Sequence, residues 1–308
     1  MPVCRAAGRA LRAAVLDWPV KQCGMESRSV PRPVLRGLTR AALVVGLVLV
    51  VVVAVFWSFQ RSLIFLPDRA APPPVAEVLP GAREVTLTTE DGLDLASWFL
   101  PADPLADRDL AVLYAPGNGG NRAGRVGIAE ELAARGFAVL LLDYRGYGGN
   151  PGSPSEEGLA ADAEAAVQTL AEQGFLADRT IYLGESLGSG VVARLQASHP
   201  PAGIVLRSPY PELAAVGSHH YPFLPVQLLL RDRFPVTEHM SVSPVPVTVI
   251  RGTADSVVPT GLSAEVADSA GNLVEEVVLE GVDHNDPEMF GPLVADAVAR
   301  LADSLAPR

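Results

Sequence analysis

The pentapeptide GESLG at residues 184–188 constrains the fold of this chain more than any other feature. It follows an apolar run at residues 180–183 that is typical of a buried strand, and a helix-like stretch begins soon after it. G-x-S-x-G between a strand and a helix predicts a nucleophile elbow, a sharp turn that lifts a serine hydroxyl clear of the sheet. Glycines are expected at both ends because strand and helix crowd each other there. Ser186 is therefore the candidate nucleophile, against the alternative of a chance glycine-rich turn.

A nucleophilic serine needs a base, and the base needs a third group that orients it. After an elbow of this kind the acid comes first along the chain and the histidine second. Of the five histidines, His284 follows a late strand-like run at residues 277–279 and precedes a helix start. Asp255 leaves the preceding strand-like run at residues 247–250. We predict His284 as the base and Asp255 as the orienting acid; an ordinary turn aspartate and a surface histidine are the simpler interpretations.

The loop at residues 115–121, APGNGGN, predicts the second half of an oxyanion hole. It follows a strand-like run at residues 110–114, and its three glycines allow the backbone to approach a substrate oxygen closely. The backbone N–H groups of Asn118 and Leu187 are the candidate donors. A flexible turn and a phosphate-binding loop are the alternatives, and the second lacks its usual spacing and lysine here.

Strand-like and helix-like segments alternate along most of the chain, which predicts a mostly parallel sheet with helices on both faces. Residues 209–244 interrupt this alternation with six prolines around an apolar run, and they predict a short cap over the site. Tyr221, Phe223 and Leu228 are candidates to line an acyl pocket. At roughly 35 residues the segment is too short for an independent lid domain, so packed helices and a small mobile lid both stay open. A pocket of ordinary size predicts short to medium acyl chains.

Residues 41–57 are uninterruptedly apolar, and the span between Arg40 and Arg61 carries no charge. Such a span is long enough to cross the about 30 Å core of a bilayer as a helix. A cleaved signal peptide is the rival interpretation, but its apolar core is usually shorter and no small-x-small cleavage site follows. We predict a transmembrane helix at residues 41–59, a proline-rich lead-out at residues 60–82 and a folded domain at residues 83–308.

Charge differs in sign on the two sides of this span. Residues 1–40 carry eight basic and two acidic residues, a net charge of +6, and the remainder carries 16 basic and 33 acidic residues, a net charge of −17. The positive-inside rule therefore predicts a cytoplasmic N-terminus and an extracytoplasmic domain. An acidic domain is not expected to bind nucleic acid.

Cysteine, metal and cofactor signals are weak in this sequence. Cys4 and Cys23 both precede the apolar span, so the folded domain is expected to contain no disulfide. The sequence has no metal-ligand cluster, and we expect neither a metal nor a cofactor. A single lysine among the 24 basic residues indicates a GC-rich genome and hence a bacterial source.

From about Leu63 to its C-terminus the chain resembles the α/β-hydrolase superfamily, and it looks most like small membrane-anchored serine hydrolases of the abhydrolase-domain or serine-aminopeptidase-like type. The segments that carry the resemblance are LIF at 63–65 with Pro67, TEDG at 89–92 before Trp98, DYRGYG at 143–148, PSEEG at 154–158, GESLG at 184–188 and HYPFLP at 220–225. Relatives usually carry His-Gly-Asn in the oxyanion loop, where this chain has Pro116 before Gly117 and Asn118. The missing histidine is not a triad residue.

The resemblance implies a serine hydrolase of the α/β-hydrolase fold that cleaves a small acyl ester, thioester or amide through an acyl-enzyme on Ser186. A catalytically inactive binding module on the same fold stays open, because a fold does not prove an activity. An aminopeptidase-like peptidase also stays open; it needs an acidic group for the substrate's amine, and Glu185 and Asp143 are the candidates. The sequence does not predict the oligomeric state.

Overall fold

The computed structural model describes residues 32–305, which form two compact units divided between Val53 and Ala54. Helix α1 (Arg32–Ile64) begins in the first unit and ends in the second, so it contains the predicted span at 41–59. Its part from Thr39 to Ile64 is long and apolar enough to cross a membrane, with a mean hydropathy of 2.9. A signal sequence shares these properties. The basic residues before position 32, with Cys4 and Cys23, lie outside the described residues.

The second unit combines strands and helices in alternation. The strands are β1 (Leu66–Pro67), β2 (Arg83–Thr88), β3 (Asp94–Leu100), β4 (Leu110–Ala115), β5 (Gly119–Gly120), β6 (Phe137–Leu141), β7 (Thr180–Glu185), β8 (Gly203–Arg207), β9 (Val247–Gly252) and β10 (Leu273–Leu279). The helices that follow α1 are α2 (Val75–Val78), α3 (Val126–Ala134), α4 (Glu156–Glu172), α5 (Leu187–Ser198), α6 (Leu213–His220), α7 (Val226–Leu229), α8 (Val236–Ser241), α9 (Thr260–Ser269) and α10 (Pro292–Leu305).

One large sheet organises this unit, with its strands in the order β10–β9–β8–β7–β4–β6–β3–β2. Neighbouring strands from β10 to β6 are parallel, whereas β3 is antiparallel to both β6 and β2. Strands β6, β7 and β8 are buried along their whole length, as expected for a sheet that is covered on both faces. The mostly parallel sheet predicted from the alternating pattern is confirmed.

Side chains of the central strands alternate between two hydrophobic clusters. In β4, Leu113 belongs to a cluster with residues of α4, α5 and α9, whereas Val112 belongs to a cluster with residues of α3 and α10. Period-two alternation sends successive side chains to opposite faces, so each strand contributes to both clusters. The sheet is therefore held from both sides, and the carboxyl ends of its parallel strands share one edge.

The predicted cap lies between β8 and β9 and contains α6, α7 and α8. Helix α8 packs on α5 and buries Val236 and Met240. All four residues of α7, in contrast, are at least partly exposed. Residues 221–230, which we call the cap tip, therefore lie on the surface, while the end of the cap segment is part of the core.

Candidate active site

Ser186 lies in a backbone turn that is strained, with φ +50° and ψ −110°, a conformation that non-glycine residues avoid. The turn joins β7 directly to α5. A Cβ atom on Gly184 would lie 2.7 Å from Cγ2 of Val192, and one on Gly188 would overlap the carbonyl oxygen of Ala115. The two glycines are thus required by lack of space, which is the crowding that the pentapeptide predicts.

Asp255 and His284 are in direct contact. Nδ1 of His284 lies 2.8 Å from Oδ2 and 3.0 Å from Oδ1 of Asp255. Because an ionised carboxylate only accepts hydrogen bonds, Nδ1 carries the proton and Nε2 is the acceptor. Oδ1 of Asp255 also accepts from the N–H groups of Val257 and Val258. Burial acts to raise the pKa of Asp255, but the hydrogen bond and charge of His284 outweigh it and lower that pKa overall.

The three predicted triad residues follow β7, β9 and β10, whose carboxyl ends lie at the same sheet edge. Ser186, Asp255 and His284 are each 6–8% exposed, so all three side chains are buried but keep a small solvent-accessible area. Strand β8 runs between β7 and β9, so its last residue, Arg207, lies at the centre of this edge.

Arg207 connects the elbow with the histidine loop. Its Nη1 donates to the carbonyl oxygen of His284 over 2.8 Å, and its Nη2 lies 3.0 Å from Oε1 of Glu185, the residue before the nucleophile. Arg125 makes a bidentate pair with Glu185, with both N–O distances at 2.7 Å. The hydroxyl of Tyr114 donates to Oε2 of Glu185 over 2.6 Å. We call Tyr114, Arg125, Glu185 and Arg207 the charge cluster.

The charge cluster is largely buried, and its single carboxylate, Glu185, lies between two arginines, so the cluster carries a formal charge of +1. Burial alone would raise the pKa of Glu185, but the charges of Arg125 and Arg207, with hydrogen bonds, hold it at about 2. The ring of Phe290 lies 4.5 Å from the guanidinium carbon of Arg207 and 5.3 Å from that of Arg125. Sequence reasoning missed Arg207, although a charged residue at the end of the apolar run at 204–206 was an available signal.

Both acidic candidates for binding a substrate amine are already paired. Glu185 belongs to the charge cluster. Asp143 is fully buried and accepts from Nη1 of Arg122 over 2.7 Å. Burial raises the pKa of Asp143 to about 6 even though Arg122 acts to lower it. Neither carboxylate is available to a substrate in this arrangement.

The predicted oxyanion donor Asn118 is held from several sides. Its carbonyl oxygen accepts from the N–H of Leu66 and from the hydroxyl of Tyr147, each over 2.9 Å. Its side-chain amide donates to the carbonyl of Ile64 over 2.8 Å. The other predicted donor, Leu187, is the first residue of α5, where N–H groups have no acceptor within the helix. These contacts fix the loop through groups other than the two candidate N–H donors.

The carbonyl oxygen of Pro116, in the predicted oxyanion loop, accepts from the hydroxyl of Tyr144 over 3.0 Å. A Cβ atom on Gly117 would lie 2.8 Å from Oε1 of Glu185, so the loop also packs closely on the charge cluster. Tyr144 and Tyr147 belong to the DYRGYG segment at 143–148. That segment therefore supports the oxyanion loop, a role that its sequence alone did not indicate.

The candidate pocket residues of the cap are on the surface. Tyr221, Phe223 and Leu228 are 54%, 77% and 86% exposed, and the rings of the first two meet edge to face with centroids 6.3 Å apart. The structure does not bring them together around the triad. The cap instead approaches the triad through His220, whose Nε2 donates to the carbonyl of Val257 over 2.8 Å.

The end of α1 binds the cap within the second unit. The amide group of Gln60 donates to the carbonyl of Leu229 over 3.2 Å and accepts from the N–H of Arg231 over 2.8 Å. Arg61 makes a bidentate pair with the buried Asp232, at 2.8 and 2.9 Å. Since Ile64 and Leu66 also bind Asn118, the chain from α1 to β1 contacts both the cap and the oxyanion loop.

Comparison with known proteins places these features in context. The profile of a family described as serine aminopeptidase, S33, matches residues 107–235. The chain is 44% identical to the Mycobacterium tuberculosis protein Rv2307c over 265 residues, which cover 85% of this chain and 94% of that protein. It is 27% identical over 263 residues to the lysophosphatidylserine lipase ABHD12 of Danio rerio, covering 71% of this chain and 68% of the lipase.

Among solved structures, the chain is similar to the Pyrococcus furiosus esterase Pf2001. The TM-score is 0.62 at 19% sequence identity, and the match covers 79% of this chain and 98% of the esterase. At that identity the two proteins are shown to share a fold.

Proposed function

Because this chain belongs to the α/β-hydrolase superfamily and is a hydrolase of the α/β fold, we propose that it is a membrane-anchored serine hydrolase that cleaves an acyl ester, thioester or amide. In this proposal Ser186, His284 and Asp255 form the triad, and the N–H groups of Asn118 and Leu187 form the oxyanion hole.

In the proposed reaction these groups act in the order expected of a serine–histidine–aspartate triad. Oγ of Ser186 attacks the carbonyl carbon while Nε2 of His284 takes the hydroxyl proton, and charge develops on the carbonyl oxygen facing the two N–H donors. The protonated imidazole, stabilised by Asp255, then gives its proton to the leaving group, and an acyl-enzyme remains. Water attacks the acyl-enzyme with His284 again as base, which releases the acid and restores Ser186.

The observation that carries the proposal is the buried Asp255–His284 pair at the same sheet edge as a serine held in a strained turn. A binding module has no need of a strained serine backbone, which costs about 1–3 kcal/mol unless the surrounding structure holds it. This pairing of strain and base supports the enzyme over the inactive alternative.

An ester is the best-supported substrate within the proposal. An aminopeptidase needs a free carboxylate for the substrate's amine, and the two sequence candidates, Glu185 and Asp143, are both engaged by arginines. One of the solved structures that the chain resembles is an esterase. A lysophospholipid is a second candidate, favoured by the similarity to ABHD12 and by the attachment of the cap to the end of α1.

Membrane anchoring through α1 is part of the proposal, with the N-terminus cytoplasmic and the domain outside. A cleaved signal peptide is disfavoured because Gln60 and Arg61, at the end of the apolar span, are bound into the domain. Carbonate and high-salt washing should leave the protein in membranes, and protease added to spheroplasts should digest the domain. Full protection from protease would indicate the opposite orientation, with the domain in the cytoplasm. A soluble mature form would favour a cleaved signal peptide.

The substrate class is tested with the full chain in detergent. Esters from p-nitrophenyl acetate to palmitate, matched thioesters, lysophospholipids and aminoacyl p-nitroanilides should be compared by kcat/KM. We expect kcat/KM to be higher for the esters than for the aminoacyl p-nitroanilides. Faster release from anilides would establish a peptidase, and failure to react with a fluorophosphonate probe would favour the binding module. A rate that rises towards palmitate would contradict the preference for short to medium chains.

A further inference from the structure

The cap tip differs from the remaining surface of the hydrolase domain in the kind of apolar side chain it exposes. It presents the rings of Tyr221 and Phe223 together with Leu228. Across the rest of residues 65–305, the large apolar side chains that are mostly exposed are leucines and valines. Exposed aromatic rings in a cluster are a common mark of a surface that binds something apolar.

The last turns of α1 also expose large apolar side chains. Phe56, Trp57, Phe59 and Leu63 are all exposed there. The cap tip is fastened to these turns by the two hydrogen bonds of Gln60 and, just beyond its end, by the Arg61–Asp232 pair. The two apolar surfaces are therefore fixed to one another within the second unit. We call Trp57, Phe59, Leu63, Tyr221, Phe223 and Leu228 together the docking face.

The polar groups beside the docking face suit the boundary between lipid and water. The guanidinium of Arg231 lies 4.8 Å from the centroid of the Trp57 ring. Tryptophan and tyrosine favour the head-group region of a bilayer, and arginine places its apolar stem in that region while its charge reaches water or phosphate. An aromatic ring capped by an arginine is thus expected where a helix leaves a membrane.

We infer that the docking face lies against the outer surface of the lipid bilayer, with the cap-tip side chains inserted among the lipid head groups. This inference rests on the proposed function insofar as α1 is a membrane anchor. We choose a bilayer as the occupant because α1, as an anchor, would leave the bilayer at its last turns, to which the cap tip is bound. The same lipid phase would then cover the exposed side chains of α1 and of the cap tip. The cap then forms part of the membrane surface.

Site-specific fluorescence depth measurements on the full chain test this inference. In a Cys4→Ser/Cys23→Ser background, single substitutions Phe223→Cys and Leu228→Cys receive an environment-sensitive fluorophore, and the protein is reconstituted in phosphatidylcholine–phosphatidylglycerol vesicles. Leu105→Cys is the matched control, since Leu105 is an exposed leucine outside the docking face. Val50→Cys, within α1, reports on the anchor itself. Lipid-borne nitroxide and aqueous iodide serve as the two quenchers.

We expect nitroxide lipid to quench the labels at 223 and 228 strongly and iodide to quench them weakly, with the reverse at 105. Nitroxide quenching at 50 but iodide quenching at 223 and 228 would overturn the docking while leaving the anchor intact. Shielding of 223 and 228 from both quenchers would mean that protein covers the face, which also overturns it. Iodide quenching at 50 would overturn the anchor and the docking together. None of these readouts depends on hydrolysis.

Discussion

The charge cluster and the cap tip are built in opposite ways, although both belong to the second compact unit. In the charge cluster, Glu185 is paired with two arginines and a tyrosine hydroxyl, and Arg207 extends the network to the backbone of His284. At the cap tip, the side chains of Phe223 and Leu228 face outward, and the chain is held by hydrogen bonds to its backbone.

The difference separates two tasks. A reaction that needs atoms placed within fractions of an ångström depends on side chains that are held in place, and burial together with several ion pairs and hydrogen bonds restrains them. The cap tip presents apolar area to its surroundings, and its exposed side chains can change without disturbing the residues of the charge cluster.

The largest expected effect is at the nucleophile. Ser186→Ala should reduce ester hydrolysis about a million-fold and abolish fluorophosphonate labelling, because no other group replaces the attacking oxygen. Ser198→Ala, an exposed serine on the same helix α5, is the matched control and should remain active. Labelling that persists in Ser186→Ala would place the nucleophile elsewhere.

The orienting acid comes next. Asp255→Asn should lower kcat roughly ten-thousand-fold with little change in unfolding midpoint, since the amide keeps the shape but no longer stabilises the imidazolium or fixes its tautomer. Asp283→Asn is a demanding control, because Asp283 accepts from the backbone N–H of His284 and not from its ring. An inactive Asp283→Asn beside an active Asp255→Asn would reverse our assignment.

Arg207 is predicted to be a positioning residue. Arg207→Met removes the contacts to Glu185 and to the carbonyl of His284, and a shift of about 1 Å in the histidine loop can cost about 100-fold in rate. We expect kcat to fall with KM little changed, and Arg207→Lys to recover part of the loss. If Arg207→Met lowers the melting temperature as well as kcat, and if Arg207→Lys recovers neither, the role of Arg207 would be merely structural.

Acid stability should reveal the charge cluster directly. The pKa of Glu185 is lowered to about 2 from 4.5, so the folded state binds its proton less readily than the unfolded state. Its contribution to the free energy of unfolding is present above pH 4.5 and is lost as the pH falls towards 2. Urea midpoints measured across this window should fall steeply in the wild type and less in Glu185→Gln. The surface control Glu172→Gln should show the same dependence of the urea midpoint on pH as the wild type. The same dependence in Glu185→Gln would contradict the pairing of Glu185 with the arginines.

The smallest effect is expected at the cap tip. Phe223→Ala should change the free energy of unfolding by no more than about 0.5 kcal/mol, because the ring is already exposed. Phe234→Ala, only eleven residues further on, should cost about 3–5 kcal/mol, since that ring is buried against Phe65. Chemical denaturation in detergent measures both. A large loss in Phe223→Ala would show that the cap tip is part of the packed domain.

The sequence predicted the features whose signals are local. The fold class is confirmed by the mostly parallel sheet and by the similarity to the esterase. The elbow could be predicted because strand, crowded turn and helix follow one another within about a dozen residues. The triad assignment remains a prediction, although Asp255 and His284 lie in hydrogen-bond contact as expected.

The missed features depend on which strands become neighbours. Arg207 binds a carbonyl 77 positions further along the chain, and Arg61 binds Asp232 across 171 positions. No local period carries such pairings, because they arise only once β8 lies between β7 and β9 and the cap folds back on α1. The exposure of Tyr221 and Phe223 could not be predicted either, because the sequence pattern shows that a side chain is apolar but not whether it is buried or exposed.

The boundary between the two compact units falls inside α1, between Val53 and Ala54, and not in a linker. The last residues of α1 belong to the hydrolase unit, because Gln60, Arg61 and Ile64 make hydrogen bonds to the rest of it. A chimaera that exchanges the apolar part of α1 for another helix must keep Gln60, Arg61 and Ile64 in their native helical phase, or Asp232 and Asn118 will lose their partners.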